Sequence, residues 1–234
     1  MPYRNLSLED FAKYVGMDAR EVRRLADRGE LPTHKVGGQW RFNRARVTEW
    51  LQQEMHTFDE KRLVSLERAM GASSSDALVT DIIGLDGIEL AMAASTKASV
   101  LRELVNLADR TGLLYDAEGL LEAVLEREEM CSTALNHGIA IPHPRQPMPY
   151  VSAEPLICVA RVQGGIWFGS PYREKTRLFF LICSHKDRHH LRVLARLMRL
   201  LDGDMVERIM ETDDREELLQ MLIAKENEVI AQGD

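Results

Sequence analysis

The chain has 234 residues, 45% hydrophobic and 29% charged, with a formal net charge of -7, which is material for one or two domains with a sizeable core. No apolar run approaches the roughly 20 residues that span a bilayer, and Met1-Pro2-Tyr3-Arg4-Asn5 leads into polar sequence rather than a signal peptide, so a cytoplasmic protein without a membrane segment is expected. The three cysteines, Cys131, Cys158 and Cys183, are odd in number, far apart and free of Cys-x-x-Cys spacing, which argues against a disulfide framework or a zinc ribbon.

Charge is unevenly placed. Residues 1–55 carry 10 Lys/Arg against 8 Asp/Glu, and the remainder 20 against 29, so the basic excess sits at the front. There, Ser7-x-x-Asp10 predicts a capped short helix with Leu8, Phe11, Ala12 and Val15 on one face, ended by Gly16. Asp18-x-x-Glu21 predicts a second helix with Val22, Leu25 and Ala26 inward and Arg20, Arg23, Arg24 and Asp27 outward. His34-Lys35-Val36, Gly37-Gly38 and Gln39-Trp40-Arg41-Phe42 read as a hairpin with a two-glycine turn. Asn43 then caps a third helix with Val47, Trp50 and Leu51 inward. On composition alone, three arginines on one helix face fit a solvated face as well as a binding face; Trp40, Phe42 and Trp50 read as core.

This front segment resembles the excisionase-type winged helix-turn-helix domain related to mercury-resistance regulators. Arg28-Gly29-Glu30-Leu31-Pro32, the Val36-Gly37-Gly38 turn and the Trp40-Arg41-Phe42 strand carry the resemblance, which covers nearly all of residues 5–54. It implies DNA as a partner, with Arg20, Arg23 and Arg24 at the major groove and Lys35, Gly37, Gly38 and Arg41 on the wing near phosphate. Such modules read paired half-sites, so a homodimer is expected. The front domain is set at 1–55.

Residues 56–77 are expected to be a linker. Phe58, Leu63, Leu66 and Met70 have the spacing of a helical extension that would serve a dimer contact, and Gly71-Ala72-Ser73-Ser74-Ser75 reads as the domain boundary.

The second domain is set at 78–234. Val100, Leu101, Leu104, Val105 and Ala108 stripe one helix, ended near Gly112; Leu120, Leu121, Val124 and Leu125 stripe another, capped by Asp116. Ile139 to Ile141, Leu156 to Val162 and Leu178 to Cys183 read as strands. Leu191, Leu194, Leu197, Met198 and Leu201 mark a long helix, followed by helices near Met205 to Met210 and, behind Asp213-x-x-Glu216, Glu216 to Ile230. The fold class expected is mixed α/β (α+β): a small winged helix-turn-helix domain, then an α/β sandwich whose mixed sheet is flanked by helices.

His143 stands between Pro142 and Pro144, where neither neighbour continues a helix or donates a strand hydrogen bond, so its imidazole is expected to be presented rather than packed. Its unperturbed pKa near neutrality suits a nucleophile. By residue type alone it reads as a solvent-facing loop histidine, and Arg127 within Glu126-Arg127-Glu128-Glu129 as part of a solvated helix face.

The ordered run Glu126-Arg127-Glu128, Ser132-Thr133 and Gly138-Ile139-Ala140-Ile141-Pro142-His143 is similar to the phosphorylation-site signature of bacterial phosphotransferase-system enzyme IIA domains of the fructose/mannitol/nitrogen-regulatory class. The similarity covers most of residues 79–224, including Gly165-Ile166-Trp167-Phe168-Gly169. It implies that His143 accepts a phosphoryl group from a histidine-containing phosphocarrier protein, that Arg127 is the active-site arginine, and that His190, ahead of Leu191, Leu194 and Leu197, is a second active-site histidine. Neither a cofactor nor a metal is implied. The sequence departs from the family pattern at Asn136-His137-Gly138, where Gly-Asn-Gly is usual, and at Pro144, where glycine is usual.

Together these resemblances imply a cytoplasmic regulator, nearest the nitrogen-regulatory branch, in which a phosphocarrier domain is tethered to a DNA-binding one. Two alternatives remain open: a IIA scaffold that senses a partner or small anion without being phosphorylated, and a metal site made from the cluster His137, His143, His185, His189 and His190.

Overall fold

A computed structural model of the chain describes residues 5–71 and 78–233. β1 (Asn5–Leu6) leads into α1 (Leu8–Val15), where Ser7 and Asp10 close a reciprocal capping box. The chain leaves α1 through Gly16 at φ 70°, where a Cβ would come within 2.3 Å of the Ser65 carbonyl oxygen; only glycine fits that close approach. α2 (Ala19–Asp27) starts at Asp18, whose carboxylate accepts from the Arg20 and Glu21 amides. β2 (Thr33–Val36) and β3 (Gln39–Asn43) form the hairpin, turning through Gly37 and Gly38, both at positive φ as a tight primed turn requires. β1 pairs with β3, completing a three-stranded sheet in the order β1-β3-β2. α3 (Arg44–Glu54) begins at the Asn43 cap, and α4 (Glu60–Met70) at the Asp59 cap.

Part of the stretch read as a linker is therefore helix. Leu63, Leu66 and Met70 of α4 are buried within the chain, with Phe58 packed against the same core, so the apolar face offered to a dimer contact is used internally. Of the boundary Gly71-Ala72-Ser73-Ser74-Ser75, Gly71 ends α4 and residues 72–75 lie outside the described residues.

The second half contains β4 (Ile88–Glu89), α5 (Lys97–Arg110), α6 (Ala117–Met130), β5 (Ile139–Ala140), β6 (Leu156–Ile166), β7 (Thr176–Cys183), α7 (Asp187–Leu200), α8 (Gly203–Glu211) and α9 (Arg215–Gly233). Its sheet runs β4-β6-β7-β5, with β6 and β7 antiparallel and the two outer strands parallel to their neighbours. Successive side chains alternate faces along a strand. Cys158, Ala160, Phe179 and Leu181 accordingly pack on one side with Leu101, Leu104 and Val124 of α5 and α6. Ile157, Val159, Phe180 and Ile182 pack on the other with Leu191 and Leu194 of α7. The two-residue strands β1 and β4 are too short to carry a periodic signal. The cap of α9 is Asp214, which accepts from the Glu216 and Glu217 amides at 2.8 and 3.2 Å; the expected Asp213 instead pairs with buried Arg161.

The core on the α7 side continues into the front domain, joining Phe11, Phe42, Val47 and Leu51 to Leu66, Leu194 and Leu222. A buried ion network crosses the same junction. Arg196, fully buried, pairs with Glu67 of α4 and Glu226 of α9, and Arg199 reaches Glu67 at 2.8 Å and Glu60 at 2.6 Å. Glu226 also accepts from the Leu78, Val79 and Thr80 amides.

Candidate functional site

His143 follows β5 in the loop that passes the end of β7, whose Ile182 amide donates to the Pro142 carbonyl. The Nδ1 of His143 lies 2.7 Å from the Ile141 carbonyl oxygen. A carbonyl oxygen only accepts, so Nδ1 carries the hydrogen and Nε2 keeps its lone pair. That Nε2 is buried without a hydrogen-bond partner. His190, in the first turn of α7, packs its ring 4.9 Å from that of His143, centroid to centroid, and its Nε2 is likewise buried and unpartnered. Arg127, in the last turn of α6, donates to the Cys131 carbonyl at 2.8 Å. A cavity of about 330 Å³ brings Arg127, Ser132, Thr133 and His143 together. Of the pair His189-His190, it is His190 that meets His143.

The expectation that His143 is presented to solvent is not met: it is 3% exposed. Side chains from α3 and the turn after it, namely Gln52, Gln53, Glu54 and His56, share the lining of the cavity with it. Burial, then His190 and Arg127, hold His143 well below the usual histidine value, against the opposing pull of the Ile141 carbonyl. His190 is pushed down to about 3 by burial first, then by His189 and Arg127. Both rings are neutral at pH 7. Burial also lowers Arg127, opposed by Cys131, Glu128 and Glu49.

One contributor was missed in the sequence. Glu128, 3% exposed, accepts from the Thr133 amide, the Thr133 hydroxyl at 2.6 Å and Lys97 at 2.8 Å, and so fixes the loop beneath the cavity. The signal was present, because Leu120, Val124, Arg127 and Glu128 share one helical face at i, i+4, i+7 and i+8. At the departure Asn136-His137-Gly138, His137 and Gly138 both take positive φ, 61° and 69°; histidine is among the side chains that tolerate this region.

In the front domain, Arg20, Arg23 and Arg24 are exposed on α2, and Lys35, Gly37 and Gly38 are exposed on the hairpin. Lys35 lies 4.3 Å over the Trp40 ring. Arg41 is half-buried, with its guanidinium donating to Gln39 at 2.6 Å and to the Trp40 carbonyl at 3.1 Å. The histidine cluster does not converge: His185 meets Ser152 at 3.0 Å, and among the described residues no group of three His, Cys, Asp or Glu is placed to hold a metal. No described helix is long and apolar enough to cross a membrane.

Residues 81–225 match the family described as phosphoenolpyruvate-dependent sugar phosphotransferase system, EIIA 2, and residues 6–55 match a helix-turn-helix domain. The chain is 30% identical over 149 residues to the nitrogen regulatory protein of Bradyrhizobium diazoefficiens, covering 62% of this chain and 94% of that one. It is 27% identical over 147 residues to the fructose-specific EIIABC component of Bacillus subtilis, of which only 23% is spanned. The crystal structure of nitrogen regulatory protein IIA-Ntr from Neisseria meningitidis superposes with a TM-score of 0.56 at 26% identity, over 62% of this chain and 99% of that one.

Proposed function

The chain belongs to the phosphotransferase-system EIIA 2 family over residues 81–225 and carries a helix-turn-helix domain at 6–55, and from that premise we propose that it is a phosphorylation-responsive DNA-binding regulator whose acceptor is His143. The observation that carries the reading is the tautomer: the Ile141 carbonyl holds the hydrogen on Nδ1 and leaves Nε2 as a bare nucleophile in the cavity shared with Arg127. In the step envisaged, the Nε2 lone pair forms the new N–P bond while the donor's N–P bond breaks, its electron pair remaining on the donor imidazole of a histidine-containing phosphocarrier protein. The Nδ1 hydrogen stays on the ring, facing Ile141. In this reading Arg127, which lines the cavity, and His190, whose ring packs against that of His143, would stabilise charge on the transferred oxygens. The output would be occupancy of DNA through Arg20, Arg23 and Arg24 on α2, with the hairpin along phosphate.

The test is labelling with phosphoenolpyruvate and the upstream phosphocarriers, read by intact mass and by peptide mapping at neutral or alkaline pH. Wild type should take one phosphoryl group and His143→Ala none. Arg127→Ala should label about 100 to 1000 times more slowly and still reach completion. Label on Ser132, Thr133 or His137 with His143→Ala unaffected would overturn the assignment, and no label under any condition would favour a IIA scaffold that senses without being phosphorylated.

A further inference from the structure

The cavity that holds His143 is built from two domains. Gln52, Gln53 and Glu54 at the end of α3, and His56 in the turn that follows, line it beside Arg127, Ser132 and His143. Glu49, about one turn earlier on α3, pairs at 3.0 Å with Arg145, two residues beyond the acceptor. The Gln52 amide reaches the Arg145 carbonyl at 3.5 Å. Transfer requires the donor nitrogen, the phosphorus and Nε2 to lie roughly in line at close range. A phosphohistidine carried on another protein must therefore enter a space that these side chains help to close.

The α3 side of this seam is weakly satisfied. Thr48 Oγ1 and Gln52 Oε1 on α3 are buried without hydrogen-bond partners, as is the His143 Nε2, and polar atoms left in that state weaken a contact. The neighbouring seam contrasts with it: α4 is tied to α7 by the buried pairs of Arg196 and Arg199 with Glu67. The turn Met55–Thr57 and the extended residue Phe58 separate the two helices.

We propose that α3 occupies the docking face of the phosphocarrier protein, so that the arrangement described is an acceptor-closed state and displacement of the C-terminal end of α3 gates phosphorylation of His143. This rests on the acceptor role given to His143 above. The product makes the gate responsive: a phosphoryl group adds up to about two negative charges close to Glu49 and Glu54, and competes with Glu49 for Arg127 and Arg145. The front domain thereby senses the state of the histidine through α3, while the exposed arginines of α2 remain on a different helix.

The experiment uses the full chain and two donors, a phosphorylated histidine-containing phosphocarrier protein and the small donor phosphoramidate, which needs no protein docking face. Labelling rates are measured for wild type, Glu49→Arg and the charge-reversed double variant Glu49→Arg/Arg145→Glu, each with its fold checked by circular dichroism. The ratio of protein-donor rate to phosphoramidate rate should rise about fivefold or more in Glu49→Arg, the size expected for breaking and repelling a partly exposed ion pair, and fall back in the double variant. An unchanged ratio in Glu49→Arg overturns the gate. So does a protein donor that labels none of the three while phosphoramidate labels all. Failure of both donors on all three removes the acceptor role itself, and the gate with it.

Discussion

His143 lies between two prolines, a placement that in the sequence suggested a solvent-facing side chain, and it is covered because a helix from 90 residues earlier in the chain passes over it. Local sequence carries no signal for that. What local sequence did carry was the inward helical face of Arg127 and the proximity of Ile141 to His143, which sets the tautomer. The burial of His190 has a measurable consequence. Its folded value of about 3, against 6.5 for a free imidazole, means that between those two pH values the unfolded chain binds a proton that the folded chain refuses. Its contribution to stability is therefore intact above about pH 6.5 and is lost as pH falls below it, at about 1.4 kcal/mol per unit. Carboxylates and His143 titrate too, so the comparison is with His190→Asn. Between pH 7.5 and 5.5, urea unfolding should show wild type losing about 1.4 kcal/mol more than the variant; equal losses would mean that His190 is protonated without penalty in the folded protein.

At the scale of elements, caps and turns were the most legible features. Ser7, Asp18, Asn43 and Asp116 act as helix caps where the sequence placed them, and Gly37-Gly38 turns the hairpin, because each of these is decided by a few neighbouring residues. Helix α7 was only half read. Its leucine stripe faces the sheet as expected, and Arg196 and Arg199 are buried as well, against α4, which no local pattern signals. Glu67 is shared between those two arginines, and its loss leaves Arg196 with Glu226 and Arg199 with Glu60 as remaining partners, so Glu67→Gln should cost about 1.5 to 3 kcal/mol, the scale of a hydrogen bond to a charged group. A loss under 1 kcal/mol in urea unfolding would show that water reaches the network. The DNA-binding reading proposed above separates two kinds of contact by element. If Arg24 on α2 reads bases, Arg24→Ala should narrow the gap between specific and random duplexes. If Lys35 on the hairpin meets phosphate, Lys35→Ala should weaken all duplexes alike and lower the salt slope by about one unit. Identical salt slopes for Lys35→Ala and wild type would remove the hairpin from the interface.

For the whole molecule, the sequence suggests two units joined by a linker, since composition breaks at the glycine-serine stretch and two separate families are matched. The described residues show one of the two apolar cores running across the junction, from Phe11 through Leu66 to Leu222, with Glu67, Arg196 and Glu226 buried there as well. Sequence patterns report the faces that elements need to bury, and they do not say which partner will cover them; α4 looked like a dimer contact for that reason. The two views differ on what happens when the chain is cut. Two independent domains should drift apart once a protease site inserted between residues 72 and 77 is cleaved. A shared core predicts fragments that stay together, because separation would expose the apolar surface between α4 and α7 and leave Arg196 and Arg199 without Glu67. The cleaved protein should therefore elute from size exclusion as one species at the volume of the uncut chain and separate only in denaturant. Because the network is shielded from solvent, about 0.5 M salt should not part the fragments, although it would weaken exposed ion pairs such as Arg44 with Asp187. Two peaks in native buffer would mean that the front domain is tethered rather than fused, and that α3 meets the His143 cavity only as often as the tether allows.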